Sequence, residues 1–388
     1  MTQTMGFDDV RIEDLRKVGS IKWSMFPDTI GAFVAEMDFG IAPPITQALH
    51  AAVDVGAFGY LPPSLSSAMS EAHARYARET YGWDIAAESV RPIADVIAAL
   101  EVSIEHFSAP GSAIVLPTPA YMPFLTVPLA HDREVIQVPM AQENGRFVYD
   151  LDAIDAAFAA GGGLLILCNP HNPGGRVMEV AEMEAIARVV DRHGARVFSD
   201  EIHAPLVYPG HRHVPYASIN ETAAGHTLTA ASASKAWNLP GMKCAQVILS
   251  NDADRELWAG KGMMFEHGAA NLGVIANTAA YSAGGQWLRE VIGYLDGNRM
   301  MLADLIAEHL PGVRYTPPEG TYLAWLDCRE LDLGDHPAQF FSEKAGVSMT
   351  DGAMCGEVGK GVVRYNFATP RPIMAQAIEQ MGAALRSR

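Results

Sequence analysis

The chain reads as an α/β protein: a mostly parallel sheet with helices on both faces, followed by a smaller α+β unit. Three observations carry that reading. Short apolar runs alternate with helical stretches from residue 97 to about residue 250, and those runs end in turns rich in Gly, Pro and Asn. With 388 residues and 49% apolar side chains, the chain can also bury more than one core.

Residues 1–45 read as an irregular arm that ends at Pro43-Pro44 and joins the smaller unit. A short helix is expected over 45–53, and amphipathic spacing predicts another over 65–81. Strands are expected at 113–116, 134–138, 164–168, 196–199, 227–230 and 245–249, with helices over 97–107, 151–159, 178–193 and 252–265. Strand–helix alternation of this kind is the mark of a sheet buried on both faces. A long helix over 285–309 then leads to strands at 313–316 and 322–326 and a helix from Ile373. The expected division is an arm at 1–45, a large domain at 46–285 and a small domain at 286–388.

Composition excludes some functions. A formal charge of −17, from 45 acidic and 28 basic side chains, argues against nucleic-acid binding, which depends on basic surface. No apolar run is long enough to span a bilayer, so no membrane association is expected. Met1 opens a polar, acid-containing segment unlike a secretory signal, and a cytoplasmic location is the expectation. Cys168, Cys244, Cys328 and Cys355 are far apart and lack metal-ligand spacing, which suits reduced core thiols. His211-Arg-His213 has no acid or cysteine cluster beside it and is read as a surface loop, with no metal expected.

The chemistry concentrates at three strand ends. Ala231-Ser-Ala-Ser-Lys-Ala-Trp-Asn-Leu-Pro240 sets Lys235 behind Ser232 and Ser234, with Gly241 and Lys243 just beyond. Alone, this stretch also reads as a solvated loop. An amine beside hydroxyls and a cation is nevertheless what pyridoxal 5′-phosphate (PLP) requires: the amine forms a Schiff base with its aldehyde, and the others hold its phosphate. Upstream, Leu164-Leu-Ile-Leu-Cys-Asn-Pro-His-Asn-Pro-Gly-Gly175 is an apolar strand ending in a turn, where the Asn172–Pro173 bond can be cis. Between the two, Ala195-Arg-Val-Phe-Ser-Asp-Glu-Ile-His203 delivers Asp200 and His203 at the C-terminal end of a strand, where ligands of open α/β sheets sit. Asp200 would keep the pyridine nitrogen protonated, and Asn172 and His203 would hydrogen-bond the ring's 3′ oxygen. Three such strand ends in the order Asn, Asp, Lys converge on one aromatic cofactor.

With these residues in view, the chain resembles the fold-type I PLP-dependent enzymes of the aspartate aminotransferase superfamily. Within them it resembles the MalY/PatB-like cystathionine β-lyases, or C–S lyases. The likeness runs through Gly19-Ser-Ile-Lys-Trp23, Phe33-Val-Ala-Glu-Met-Asp-Phe39, Gly56-Ala-Phe-Gly-Tyr60 and Pro117-Thr-Pro-Ala-Tyr-Met-Pro-Phe124. It continues through Asp200-Glu-Ile-His203, Lys235-Ala-Trp-Asn-Leu-Pro-Gly241, Glu319-Gly-Thr-Tyr-Leu-Ala-Trp325 and Arg364-Tyr-Asn-Phe-Ala-Thr-Pro-Arg371.

The resemblance implies further roles. The backbone of Val96 and Ile97, at a helix start, would receive the cofactor phosphate together with Ser232, Ser234 and Lys243. Asp95 would turn away from that anion to cap the helix. Tyr121 would lie flat on the pyridine ring, although a core tyrosine is the alternative. Tyr60 would reach the phosphate of a neighbouring subunit in a homodimer, or be a plain turn tyrosine. Arg364 would hold the substrate α-carboxylate, with Arg371 a competitor expected at the surface. Ala35 and Glu36 would close over that carboxylate, and Asn172 and Tyr60 would also face the substrate. Glu36, Phe33 and Pro205 depart from the subgroup's usual Asp, Trp and acid.

The activity implied is elimination from L-cystathionine or another S-substituted L-cysteine, giving a thiol, pyruvate and ammonia. Lys235, released by the substrate amine, would be the base at Cα. The superfamily's motifs serve transamination equally, so an aminotransferase is the alternative. A regulatory protein-binding role alongside catalysis is a third reading.

Overall fold

The computed structural model describes residues 6–388. Its larger sheet has seven strands, β2 (Val90–Ile93), β3 (Ala113–Thr118), β4 (Val135–Pro139), β7 (Gly162–Cys168), β8 (Arg196–Asp200), β9 (Thr227–Ala231) and β10 (Ala245–Leu249), in the order β2-β10-β9-β8-β7-β3-β4. From β9 to β4, neighbouring strands are parallel, while β10 runs against both β9 and β2. The sequence predicts a mostly parallel sheet, with a strand at 245–249 of unassigned direction. The link from β9 to β10 holds only turns and a short 3-10 helix, Pro240–Met242, with no crossover helix to carry the chain back.

Burial on both faces explains the continuous apolar strands. Ile114, Leu116, Leu164, Ile166 and Phe198 enter one apolar cluster, and Val115, Leu165, Leu167 and Val197 enter the other. Successive side chains point to opposite faces, so a strand packed by helices on each side must be apolar throughout.

The smaller sheet is ordered β1-β12-β13-β11, from β1 (Ile30–Ala32), β12 (Val347–Asp351), β13 (Val362–Asn366) and β11 (Leu323–Asp327). β1 brings the N-terminal segment alongside residues more than three hundred positions away, parallel to β12. A hairpin of β5 (Ala141–Glu143) and β6 (Arg146–Val148) stands apart. The strand expected at 313–316 does not form; only an isolated bridge joins Arg314 to Asp327. Pro317 and Pro318 follow at once and have no N–H to donate to a ladder.

All eight expected helices stand within three residues of their predicted ends: Pro43–Asp54, Pro63–Tyr81, Val96–His106, Leu151–Ala159, Val180–Arg192, Asp252–Glu266, Gly285–His309 and Arg371–Arg386. Prolines at the first turn move two of the starts upstream. Six helices were not foreseen: Ile12–Val18 and Ile21–Ser24 in the arm, the short Pro123–Ala130, Glu221–His226 and Pro337–Phe340, and Asn271–Ala283, whose small residues show little amphipathic contrast.

All four cysteines are free and buried. His211 and Arg212 are exposed as expected, but His213 is not a surface residue: it is buried with Nε2 2.9 Å from Glu201 Oε2. A buried carboxylate needs such a partner, and Ser199 and the Tyr216 N–H also bond it. Among the described residues no group of side chains could hold a metal ion, and no helix is long and apolar enough to cross a membrane.

Candidate active site

β7, β8 and β9 are paired so that Cys168 lies opposite Asp200 and Asp200 opposite Ala230, and their carboxyl ends finish side by side. The loops leaving them carry Asn172, His203 and the Ser232–Lys235 segment into one cavity of about 460 Å³. Val96, Ile97 and Tyr121 line the same cavity, as do Ala35 from the N-terminal strap and Arg364 from β13. Lys243 and Tyr60 are not among its lining residues. A roomier groove of about 750 Å³ beside the helix Ile12–Val18 shares Pro240 with this cavity but contains none of the strand-end groups, and Glu36 lines the groove rather than the cavity. The chemistry therefore sits in the smaller space.

Burial shifts the titrating groups. Desolvation pushes the Asp200 carboxyl up to about 7, against the Ile202 N–H that donates to its Oδ1 at 3.0 Å and the nearby Lys235 charge. Lys235 is pushed down to about 8, first by burial and then by the positive charge of Arg364. Its Nζ donates to the Ala35 carbonyl at 2.9 Å. An amine that sheds its proton near neutrality can act as nucleophile and as base. Burial and the charges of Lys235 and Arg364 hold His203 well below the usual imidazole range, so its ring is neutral. Neither nitrogen of that buried ring has a partner, and a buried polar group normally has one.

The residues present fit PLP. Asp200 is a buried carboxylate that a protonated pyridine nitrogen would pair, and His203 has hydrogen-bonding capacity left over. Lys235 supplies an amine for the aldehyde. At the other end of the cavity, Val96 and Ile97 open an 11-residue helix whose first N–H groups lack intrahelical partners. Ser232 and Ser234 stand there with hydroxyls 2.7 Å apart. Tyr121 presents a half-buried ring to the cavity, set edge-on to Phe124 at 5.4 Å.

Asp95 only partly follows expectation. Its Oδ1 caps the helix by accepting the Ala98 N–H at 2.8 Å, but it does not leave the cavity: its Oδ2 accepts Lys243 Nζ at 2.7 Å. An N-cap residue uses one oxygen for the helix, and the second is free to meet the nearest cation.

The opposite wall comes from the smaller sheet and the strap. Arg364 is buried, with Nη1 donating to Asn172 Oδ1 at 3.1 Å and Nη2 to Phe33 O at 2.9 Å and Thr350 Oγ1 at 3.0 Å. The strap itself is clamped. Asn366 Nδ2 donates to the carbonyls of Val34 and Glu36, both at 2.7 Å, and the Tyr322 hydroxyl donates to Ala35 O at 2.9 Å. Below it, Lys22 and Asp38 form a fully buried ion pair at 2.8 Å, and Trp23 Nε1 donates to the same carboxylate at 2.8 Å. Gly175 ties this wall to the Asn172 turn: its carbonyl accepts N–H bonds from Glu319 and Gly320, at a φ of +69 where an added β-carbon would meet Pro318 at 2.2 Å.

Arg371 lies outside this cavity; it is half-buried at the start of the last helix, with its guanidinium 4.5 Å from the Tyr294 ring. Pro205 and the backbone of Tyr60 also lie outside, and the Tyr60 side chain is 90% exposed. Residues that sequence reasoning left without a role are Thr350, Tyr322, Asn366, Lys22 and Asp38. Four of these stand inside motifs quoted above, but nothing in a linear pattern says which carbonyl a buried amide or hydroxyl will reach. The cis bond stands at Asn172–Pro173, together with two more at Thr118–Pro119 and Asn169–Pro170.

The chain is similar over nearly its whole length to known proteins. The chain is 37% identical to the cystathionine β-lyase of Corynebacterium glutamicum, over 96% of this chain and 99% of that one. A solved Corynebacterium diphtheriae structure named for a PLP-dependent β-cystathionase superposes with a TM-score of 0.93 at 39% identity, covering 98% of this chain and 99% of that chain. Cystalysin of Treponema denticola, solved with PLP, superposes with a TM-score of 0.92 at 27% identity over 99% of this chain and all (100%) of that one. Residues 34–380 match the sequence model for aminotransferase class I and II, and the chain belongs to that family.

Proposed function

We propose that the chain is a PLP-dependent carbon–sulfur β-lyase, cleaving L-cystathionine or another S-substituted L-cysteine to a thiol, pyruvate and ammonia. The observation that carries this reading is the convergence of Lys235, Asp200 and Arg364 on one cavity, in a chain alike over its whole length to a cystathionine β-lyase. Bound PLP supplies an electron sink for the pair left at the substrate's Cα when a proton is removed.

The protein's own groups do the rest. Asp200 would pair with the ring nitrogen and keep it protonated. His203 and Asn172 would hydrogen-bond the 3′ oxygen, and Tyr121 would stack on the ring. The Val96 and Ile97 N–H groups, Ser232, Ser234 and Lys243 would take the phosphate. Arg364 would hold the α-carboxylate, and the Ala35 segment would close over it. The Lys235 amine, pushed down to about 8, is neutral often enough near physiological pH to accept the Cα proton. The Cβ–S bond then breaks with its electron pair on sulfur, the thiol leaves, and the three-carbon remainder is hydrolysed to pyruvate and ammonia.

Transamination is the reading to separate from this one, because the family's first-named activity uses the same groups. Incubating the purified protein with cystathionine and a panel of cysteine thioethers, without an α-keto acid, should release pyruvate and free thiol in equal amounts. Turnover only when a keto acid is added would replace the lyase with an aminotransferase.

We also propose a homodimer in which Tyr60 of one copy reaches the cofactor phosphate of the other. Support comes from its side chain, which stands 90% exposed while its carbonyl lies 3.5 Å from Asn271 Nδ2. Light scattering of the PLP-loaded protein should give twice the chain mass of 41.7 kDa. A division into an arm at 1–45, a large domain at 46–285 and a small domain at 286–388 is supported by the two separate sheets. Four free cysteines suit a reducing, cytoplasmic setting.

A further inference from the structure

The pair between Asp95 and Lys243 has a cost for any anion that binds beside it. Asp95 lines the cavity at the phosphate end, next to the two serines, and its Oδ2 accepts Lys243 Nζ at 2.7 Å. The helix cap does not explain the charge. Capping uses only Oδ1, on the Ala98 N–H at 2.8 Å, and a neutral asparagine caps a helix equally well.

Stability does not explain it either. The Lys243 side chain is 61% exposed and that of Asp95 38%, and an ion pair so open to water contributes little. The lysine backbone is independently fixed: it stands at φ +46 and its carbonyl accepts the Ala270 N–H at 3.0 Å. Burial pushes the Asp95 carboxyl up, but Lys243 and the Ala98 N–H outweigh it, holding the group below its ordinary value and therefore charged at neutral pH.

We propose that Asp95 is a built-in counter-charge that weakens the hold of this site on the cofactor phosphate. It neutralises the one cation offered there by this chain's predicted site residues, and it stands as a like charge beside the arriving dianion. Anchoring then falls mainly to the Schiff-base lysine and to Asp200, and less to the phosphate. The proposal rests on the PLP reading given above, and concerns only the phosphate end of that site.

The test compares the cofactor-free wild-type protein with Asp95→Asn, Asp95→Ser and Lys243→Met. Each is titrated with PLP and with pyridoxal, which lacks the phosphate, and binding is read from protein fluorescence and from the Schiff-base absorbance. Removing one unit charge a few ångströms from a dianion in a partly screened site should tighten PLP by roughly tenfold in both Asp95 variants. Pyridoxal affinity should stay as in the wild type. Lys243→Met should weaken PLP and leave pyridoxal alone. Unchanged or weaker PLP binding in both neutral-cap variants, with native circular dichroism, overturns the counter-charge role, as does an equal shift for pyridoxal. A wild-type protein that takes up neither compound would overturn the PLP reading itself, which keeps the two failures apart.

Discussion

The two walls of the cavity are built on opposite plans. On the cofactor wall the titrating groups have few partners: neutral His203 has none, Asp200 takes a single backbone N–H with a distant thiol at 3.9 Å, and Lys235 holds one carbonyl. On the facing wall, Arg364 already bonds Asn172, Phe33 O and Thr350, and the strap beneath it is clamped by Asn366 and Tyr322. Unpaired buried groups carry shifted proton affinities and gain most when a ligand arrives. Pre-bonded groups gain less but fix geometry before the substrate comes. One wall is poised for chemistry, the other is preorganised for position.

Replacing residues on each side breaks or sharpens this contrast. The largest effect is expected from Lys235→Ala, which removes the base: turnover should fall by roughly a thousandfold or more, and the Schiff-base absorbance should vanish from the PLP-loaded protein. Retained turnover would refute the assignment of the poised wall. Next is the support under the strap. Lys22→Met leaves Asp38 buried without its cation, and denaturant melting should show a loss of about 3–5 kcal/mol, since breaking one partner of a buried pair strands the other charge.

A smaller and more selective change is expected from Arg364→Ala. KM for a cysteine thioether should rise on the order of 10- to 100-fold, from the loss of charge-assisted bonds, while PLP affinity holds. A KM equal to that of wild type would remove Arg364 from the carboxylate. Smaller again is Tyr322→Phe, which deletes one hydrogen bond to the Ala35 carbonyl, about 1 kcal/mol. Its effect should fall on KM and be seen as a several-fold rise; an effect on PLP uptake alone would place that hydroxyl on the other wall.

The poised wall also makes a prediction about pH. In cofactor-free protein Asp200 titrates at about 7, raised from its ordinary 3.8 by burial. The folded state holds that proton more tightly than the unfolded chain does, so the stabilisation is complete below pH 3.8 and is lost as pH climbs through about 7. Asp200→Asn should remove this slope, and the melting curves of the two proteins should diverge progressively across that window. Parallel curves would mean that Asp200 is not a carboxyl kept neutral by burial.

Legibility in the sequence follows the same division. The poised wall could be read from the chain because each of its groups closes a short apolar strand, and parallel strands in one sheet place their carboxyl ends together. Asn172 and Asp200 were found from that rule, and Lys235 from the amine beside Ser232, Ser234 and Lys243 joined to it. Arg364 was assigned through resemblance, not through its bonds. Its partners Phe33 and Thr350 lie in segments that meet only because β1 pairs with β12 and β12 with β13.

Local chemistry therefore determined seven of the strands, eight of the helices and the strand-end groups that share the cavity, since hydrophobic period and turn residues act over a few positions. Tertiary structure decided the burial of His213 and the Asp95–Lys243 pair. Both depend on which distant group lies within about 3 Å of a polar side chain, and no sequence interval records that distance.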